Sequence, residues 1–154
     1  MVEDRLRDGT RIAQLIASEL TGDHGRLAQV VVVDANPDVE PTEDGAVAYR
    51  VARVSNSEAV EIGEQGQTTV DESVDADRTM LATVFVHPER ARIEFSAAPE
   101  TAAEAASDAG LAVRPKAVDP PRTLVFVEDG AEAKRVISVF ESVVGDAVEK
   151  STES

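Results

Sequence analysis

Apolar residues recur at spacings of three and four over residues 3–21, where Leu6, Ile12, Ala13, Leu15, Ile16 and Leu20 share one helical face and TGDHG supplies the stop. A helix is expected there, with Gly9 weakening its first half. LAQVVVVDA, residues 27–35, is a β-branched run too short for a helix and apolar on both faces, the pattern of a central strand. AVAYRVARV, residues 46–54, alternates Val47, Tyr49 and Val51 with Ala48, Arg50 and Ala52, so the two segments are expected to pair across a long connection.

Residues 55–78 break this regularity. Two short strands are expected at 59–62 and 68–70, separated by Gly, Gln and acids, in an acidic and mobile excursion. A solvated loop is the plain reading of that stretch, and a lid over a site is the alternative.

From residue 79 the pattern sharpens. TMLATVFVH is a strand, HPER a tight turn, and ARIEFS alternates with Ala91, Ile93 and Phe95 inward and Arg92, Glu94 and Ser96 outward, which makes a hairpin. Pro99 at a first helical turn and Gly110 at a left-handed cap bracket an Ala-rich helix. LAVRPKAV and RTLVFVE form a second hairpin across DPPR, with Pro115 pushing the first of them to a sheet edge. The last helix begins at Asp129 with Glu132 three residues on, a capping box, and carries Val136, Ile137, Val139, Phe140, Val143, Val144 and Val148 as one wide apolar stripe.

The fold class expected is therefore α+β, a mostly antiparallel sheet with about three helices, in one domain over 1–149 and a disordered tail at 150–154. Residues 79–148 run strand, strand, helix, strand, strand, helix, the order a ferredoxin-like unit takes when its last strand is moved to the front. The N-terminal helix and two strands then extend that sheet or cover its open face. Because VVVV and TLVFV are apolar on both sides, either the N-terminal third or a second copy of the chain is expected to pack there.

Composition narrows the chemistry. The chain has no Cys, so disulfides, thiolate metal sites and a Cys nucleophile are excluded together, and the metal ligands left are two His and the carboxylates. No apolar run approaches the roughly 18 residues of a membrane span, and the charged start MVEDRLRDGT lacks the apolar stretch of a signal peptide, so a cytoplasmic protein without membrane partners is expected. The net charge is −15, and residues 27–77, with twelve acids against two arginines, carry −10 of it. Such a field repels nucleic acid and anionic membranes at long range, which disfavours nucleic acid as a partner without excluding it.

Candidate sites are few. Asp34, Asn36 and Asp38 end a strand with the spacing of the first half of a calcium loop, but Val39 stands where that loop needs its turning Gly and Gly45 where it needs a bidentate Glu. Asp34 and Asn36 are better read as residues that cap a turn by bonding the backbone two positions on. A metal-dependent hydrolase built on Asp34 and Asp38 is the catalytic alternative. His87 at a strand end and His24 in a Gly-flanked loop have no Ser, Cys or second His at a recognisable spacing. Nucleotide-loop, nucleophile-elbow and zincin signatures are absent from the sequence, so no cofactor is implied and the reading points away from catalysis.

The cations are more distinctive than the acids. Arg90, Arg92, Arg114, Lys116 and Arg122 cluster in the two C-terminal hairpins of a chain depleted of basic groups. Arg90 and Arg92 share a face by period two, as do Arg114 and Lys116. Such a stripe suits an anion, a nucleic-acid backbone or an acidic segment such as 34–44 of its own chain or a neighbour's. The plain reading is ion pairs with Glu89, Glu94 and Asp119 on a solvated face. With no aromatic residue interleaved along the stripe, base stacking finds no support in the sequence.

Thirty acids, three lysines against twelve arginines, little aromatic content and the opening MVEDRLRDGTRIAQLIASEL resemble the small acidic proteins of haloarchaea whose function is unassigned. The resemblance covers the whole chain and implies a protein of the cytoplasm working in molar salt, where the Debye length of about 3 Å screens self-repulsion. It carries no functional motif. The function expected is a non-enzymatic binding, regulatory or structural module, self-associating as a homodimer through a sheet face, with a small-anion or nucleic-acid binder as the alternative.

Overall fold

The computed structural model describes residues 8–22, 29–36, 38–54, 60–62, 68–70, 73, 78–116 and 121–152. Three helices and a six-stranded antiparallel sheet make an α+β fold. Helix α1 is Gly9–Gly22, strands β1 Val30–Val33 and β2 Ala46–Val54 follow, and β3 Val60–Ile62 and β4 Thr68–Val70 form a small sheet of their own. Then come β5 Arg78–Val86, β6 Ala91–Phe95, α2 Pro99–Asp108, β7 Ala112–Lys116, β8 Arg122–Val127 and α3 Gly130–Thr152. The large sheet runs β1-β2-β5-β6-β8-β7. No helix among the described residues is long and apolar enough to cross a membrane.

Register sorts the side chains. Val84 pairs with Ile93, Ile93 with Val125, and Val125 with Val113, and this row faces the helices. On that side Ile12, Ile16 and Leu20 of α1, Ala102 and Ala106 of α2, and Val136, Val139, Phe140 and Val143 of α3 join one buried core. The Phe95 and Phe140 rings meet at 4.9 Å, tilted by 55°. Alanines let α2 lie close to the sheet. Register shifts in the β2–β5 pair, between Val47 and Tyr49 and between Val51 and Ala52, turn Ala48 and Leu81 into that core as well. The buried polar groups there are paired: Tyr49 Oη donates to the Ala13 carbonyl at 2.6 Å and Thr123 Oγ1 to the Pro99 carbonyl at 2.6 Å. Burial raises the Tyr49 phenol pKa far above its ordinary value, more than a neighbouring backbone contact at Ala17 lowers it.

Three expectations need correction. Helix α1 begins at Gly9, where Asp8 caps it: Asp8 Oδ1 accepts from the Thr10 N–H at 3.0 Å, and residues 3–7 of the helix expected over 3–21 lie outside the described residues. Gly9 is not a weak point of a longer helix. It is buried, its N–H donates to the Pro88 carbonyl at 3.2 Å, and a Cβ there would overlap the His87 carbonyl oxygen. The run around VVVV forms an edge strand, not a central one; its second apolar side is accounted for by a separate cluster in which Val31 packs with Ala52, Val54 and Val33, at the end of the sheet where β4 approaches β1. Helix α3 continues to Thr152, past residue 149 where the domain was expected to end.

The described part of the N-terminal segment extends the sheet. β1 and β2 add to the β5 edge, while α1 joins α3 in the helical layer. His24, Pro37 and Asp119, and all but β3, β4, Ser73 and Arg78 of the 55–78 excursion, lie outside the described residues.

Candidate functional site

The face of the sheet turned away from the helices carries the basic cluster. On β6 it shows Arg92 and Glu94, on β8 Arg122, Leu124 and Phe126, and on β7 Ala112, Arg114 and Lys116, with Glu94 the one acid in this group. Leu124 is buried and Phe126 half-buried. Strand alternation forces these positions outward once Val125 and Ile93 point at the core. β7 is the sheet edge, as Pro115 requires of a strand that cannot donate at that position.

The five predicted cations divide into two sets. Arg92 is held on several sides: its Nη1 donates to the Asp44 carbonyl at 3.2 Å and to His87 Nε2 at 3.2 Å, and its guanidinium carbon lies 4.3 Å from the centroid of Phe85. Its Nε is 3.0 Å from Glu94 Oε2, close enough for an ion pair but without directed hydrogen-bond geometry. Arg92 therefore straps the 43–45 loop onto the sheet. The acidic segment 34–44 does meet the basic stripe, through a backbone carbonyl and not a carboxylate. Arg90, Arg114, Lys116 and Arg122 form the outward set. Arg114 and Lys116 are exposed, and Arg122 is exposed while its Nη1 bonds Glu94 Oε1 at 3.0 Å. Arg90 stands over the Phe126 ring at 4.5 Å.

Two features of this face escape the linear pattern. Arg92 is flanked in register by Phe85 on β5 and Phe126 on β8, so aromatic rings do interleave with the cations, across strands and not along one. This corrects the expectation of a stripe without aromatics. Lys116 pairs directly with Arg122, which sets like charges opposite each other at the β7–β8 end.

His87 is buried at the head of the β5–β6 turn. Its Nδ1 lies 3.0 Å from the Glu43 carbonyl and its Nε2 faces Arg92. A carbonyl only accepts and a guanidinium only donates, so the imidazole is neutral with its proton on Nδ1. Burial lowers its pKa most, the Glu43 carbonyl opposes this, and Arg92 and Arg90 add to the lowering. Gly45, at φ 93°, sits where a Cβ would come within 3.1 Å of both His87 Nε2 and Arg92 Nη1, so the left-handed glycine is what admits the loop.

At the strand end, Asn36 Oδ1 accepts from the Asp38 N–H at 3.0 Å and the Asn36 N–H donates to the Ala48 carbonyl at 2.8 Å. Asp34 contributes a left-handed backbone, φ 54°, which Asp tolerates better than most residues. Among the described residues no three carboxylate or imidazole groups stand close enough to hold a metal ion. The groove lined by Glu43, His87, Glu89, Arg90, Glu128 and Glu132, about 620 Å³, is open and mostly acidic.

Over residues 1–154 the chain matches the family of unknown function DUF7993, and it belongs to that family. No curated protein matches the chain, and no solved structure matches it.

Proposed function

We propose, from the premise of a family that assigns no activity, that the protein is a non-enzymatic binding module whose working surface is the β6–β8–β7 face and whose ligand is anionic. The observation that carries this is the Lys116–Arg122 pair, directly opposed, with Arg114 beside it and Glu94 as the nearest counter-charge in register. Like charges set opposite on neighbouring strands are destabilising. In a chain with thirty acids and fifteen basic residues, that cost is readily offset by a bound anion. The strand order β5-β6-β8-β7 supports reading residues 79–148 as a ferredoxin-like unit with its last strand moved to the front. Net charge and the Arg-rich composition support a haloarchaeal, cytoplasmic setting at high salt.

The test is a titration of tripolyphosphate followed by amide shifts. Signals of Arg114, Lys116 and Arg122 are expected to move together, and the Arg114→Glu/Lys116→Glu double variant is expected to weaken binding roughly tenfold or more. Signals that stay in place on these strands defeat the reading.

Self-association through the same face is the second reading. It is favoured by Val47 and Met80, exposed by 38% and 41%, which register places on that face. Against it, a two-fold contact would bring one basic row onto its own copy. A light-scattering mass of two chains would favour it.

A further inference from the structure

Strand β8 sets Arg122, Leu124 and Phe126 two residues apart on the open face, so successive side chains stand roughly 7 Å apart. Phe126 has Arg92 opposite on β6 and Ala112 opposite on β7. Ala112 is exposed and carries a single methyl group, so β7 raises no wall beside the ring. Arg90 reaches over the ring from the β5–β6 turn, 4.5 Å from its centroid. The result is a half-buried aromatic ring topped by a guanidinium, with Arg114, Lys116 and Arg122 continuing the positive charge along the same strands.

We infer that this face takes single-stranded nucleic acid, its phosphates along Arg114, Lys116 and Arg122 and a base stacked on the Phe126–Arg90 pair. The inference rests on the anion-binding reading above and names the occupant. A carboxylate-rich protein partner would be served by the cations alone, whereas a ring topped by a guanidinium offers a flat surface to a base. A duplex hides its base faces, and this surface presents no helix or ribbon to a groove. The net charge of −15 opposes any polyanion in dilute buffer. At molar salt the Debye length of about 3 Å leaves only the local face to be felt. The phosphate contribution shrinks under the same conditions, and stacking, which needs no net charge, keeps its share.

The experiment uses the full chain, anisotropy, and three labelled probes of roughly 12 nucleotides: oligothymidylate, an abasic strand of equal length, and a duplex. Oligothymidylate is expected to bind about tenfold or more tighter than the abasic strand. Phe126→Leu is expected to erase that preference while leaving abasic binding in place, and Arg114→Glu to weaken both strands. With about three phosphates engaged, log K against log salt is expected to fall with a slope near −2. Should Phe126→Leu fail to give the wild-type circular dichroism spectrum, Arg90→Gln makes the same test. Equal affinity for the thymidylate and abasic strands, or for the duplex, overturns the inference and leaves the anion-binding reading standing. So does tripolyphosphate binding with no binding of any strand. Failure of tripolyphosphate and all three probes removes both. A two-chain mass that Arg114→Glu splits assigns the face to a second copy and overturns the inference.

Discussion

His87 acts as a strut whose protonation state is dictated by its neighbours. The Glu43 carbonyl can only accept and Arg92 can only donate, so the ring bridges that carbonyl and the guanidinium. Protonation puts a second positive charge against Arg92 and removes the Nε2 lone pair. Because the folded pKa lies below the ordinary 6.5, the folded state binds fewer protons than the unfolded chain just below that value. The contribution is complete above about pH 6.5 and is lost as pH falls through the lowered folded pKa. One proton bounds the slope at about 1.4 kcal/mol per pH unit. Urea unfolding of the wild type and His87→Gln across pH 5 to 7.5 is expected to show a flatter dependence in the variant, and equal slopes would refute the role. In the sequence His87 is a lone histidine at a turn, and its two partners lie on segments 44 positions upstream and 5 downstream. The close approaches that Gly9 and Gly45 permit are equally hidden in the sequence, since what each makes room for comes from elsewhere in the chain.

Helices and hairpins were legible because their signals are local. Asp129 and Glu132 form the expected cap: the Glu132 N–H donates to Asp129 Oδ1 at 2.8 Å, while Glu132 Oε1 accepts from the Glu128 N–H at 2.8 Å, one residue earlier than in the usual box. Asp129→Ala is expected to cost about 1 kcal/mol, a fall of roughly 2–4 °C in the thermal midpoint, whereas Lys134→Ala on the exposed side changes it little. A calorimetric scan that leaves the Asp129 variant at the wild-type midpoint would show the cap to be idle. The four-valine run misled because a strand apolar on both sides reads as central wherever its second cover comes from. Here an edge strand buries Val31 against Ala52 and Val54. Arg114, Pro115 and Lys116 on the β7 edge also blunt edge-to-edge pairing, a purely structural use of the same cations.

The whole molecule separates its charges. Within strands β6, β7 and β8 Glu94 is the one acid, and the −10 carried by residues 27–77 is a self-repulsion that salt can screen. Raising KCl from about 0.1 M to about 2 M is expected to raise the thermal midpoint, because the Debye length shortens from about 10 Å towards 3 Å or less. A midpoint that falls or stays constant counts against the high-salt setting.

Periodicity, caps and turn residues already specified the α+β class, both C-terminal hairpins, the edge place of β7 and the list of cations, since all of these depend on residues a few positions apart. Packing alone brought Phe85 and Phe126 to either side of Arg92, withdrew Arg92 from the outward set of cations, and opposed Lys116 to Arg122. Those neighbours meet across strands, and no period along one segment records which segment will lie beside it.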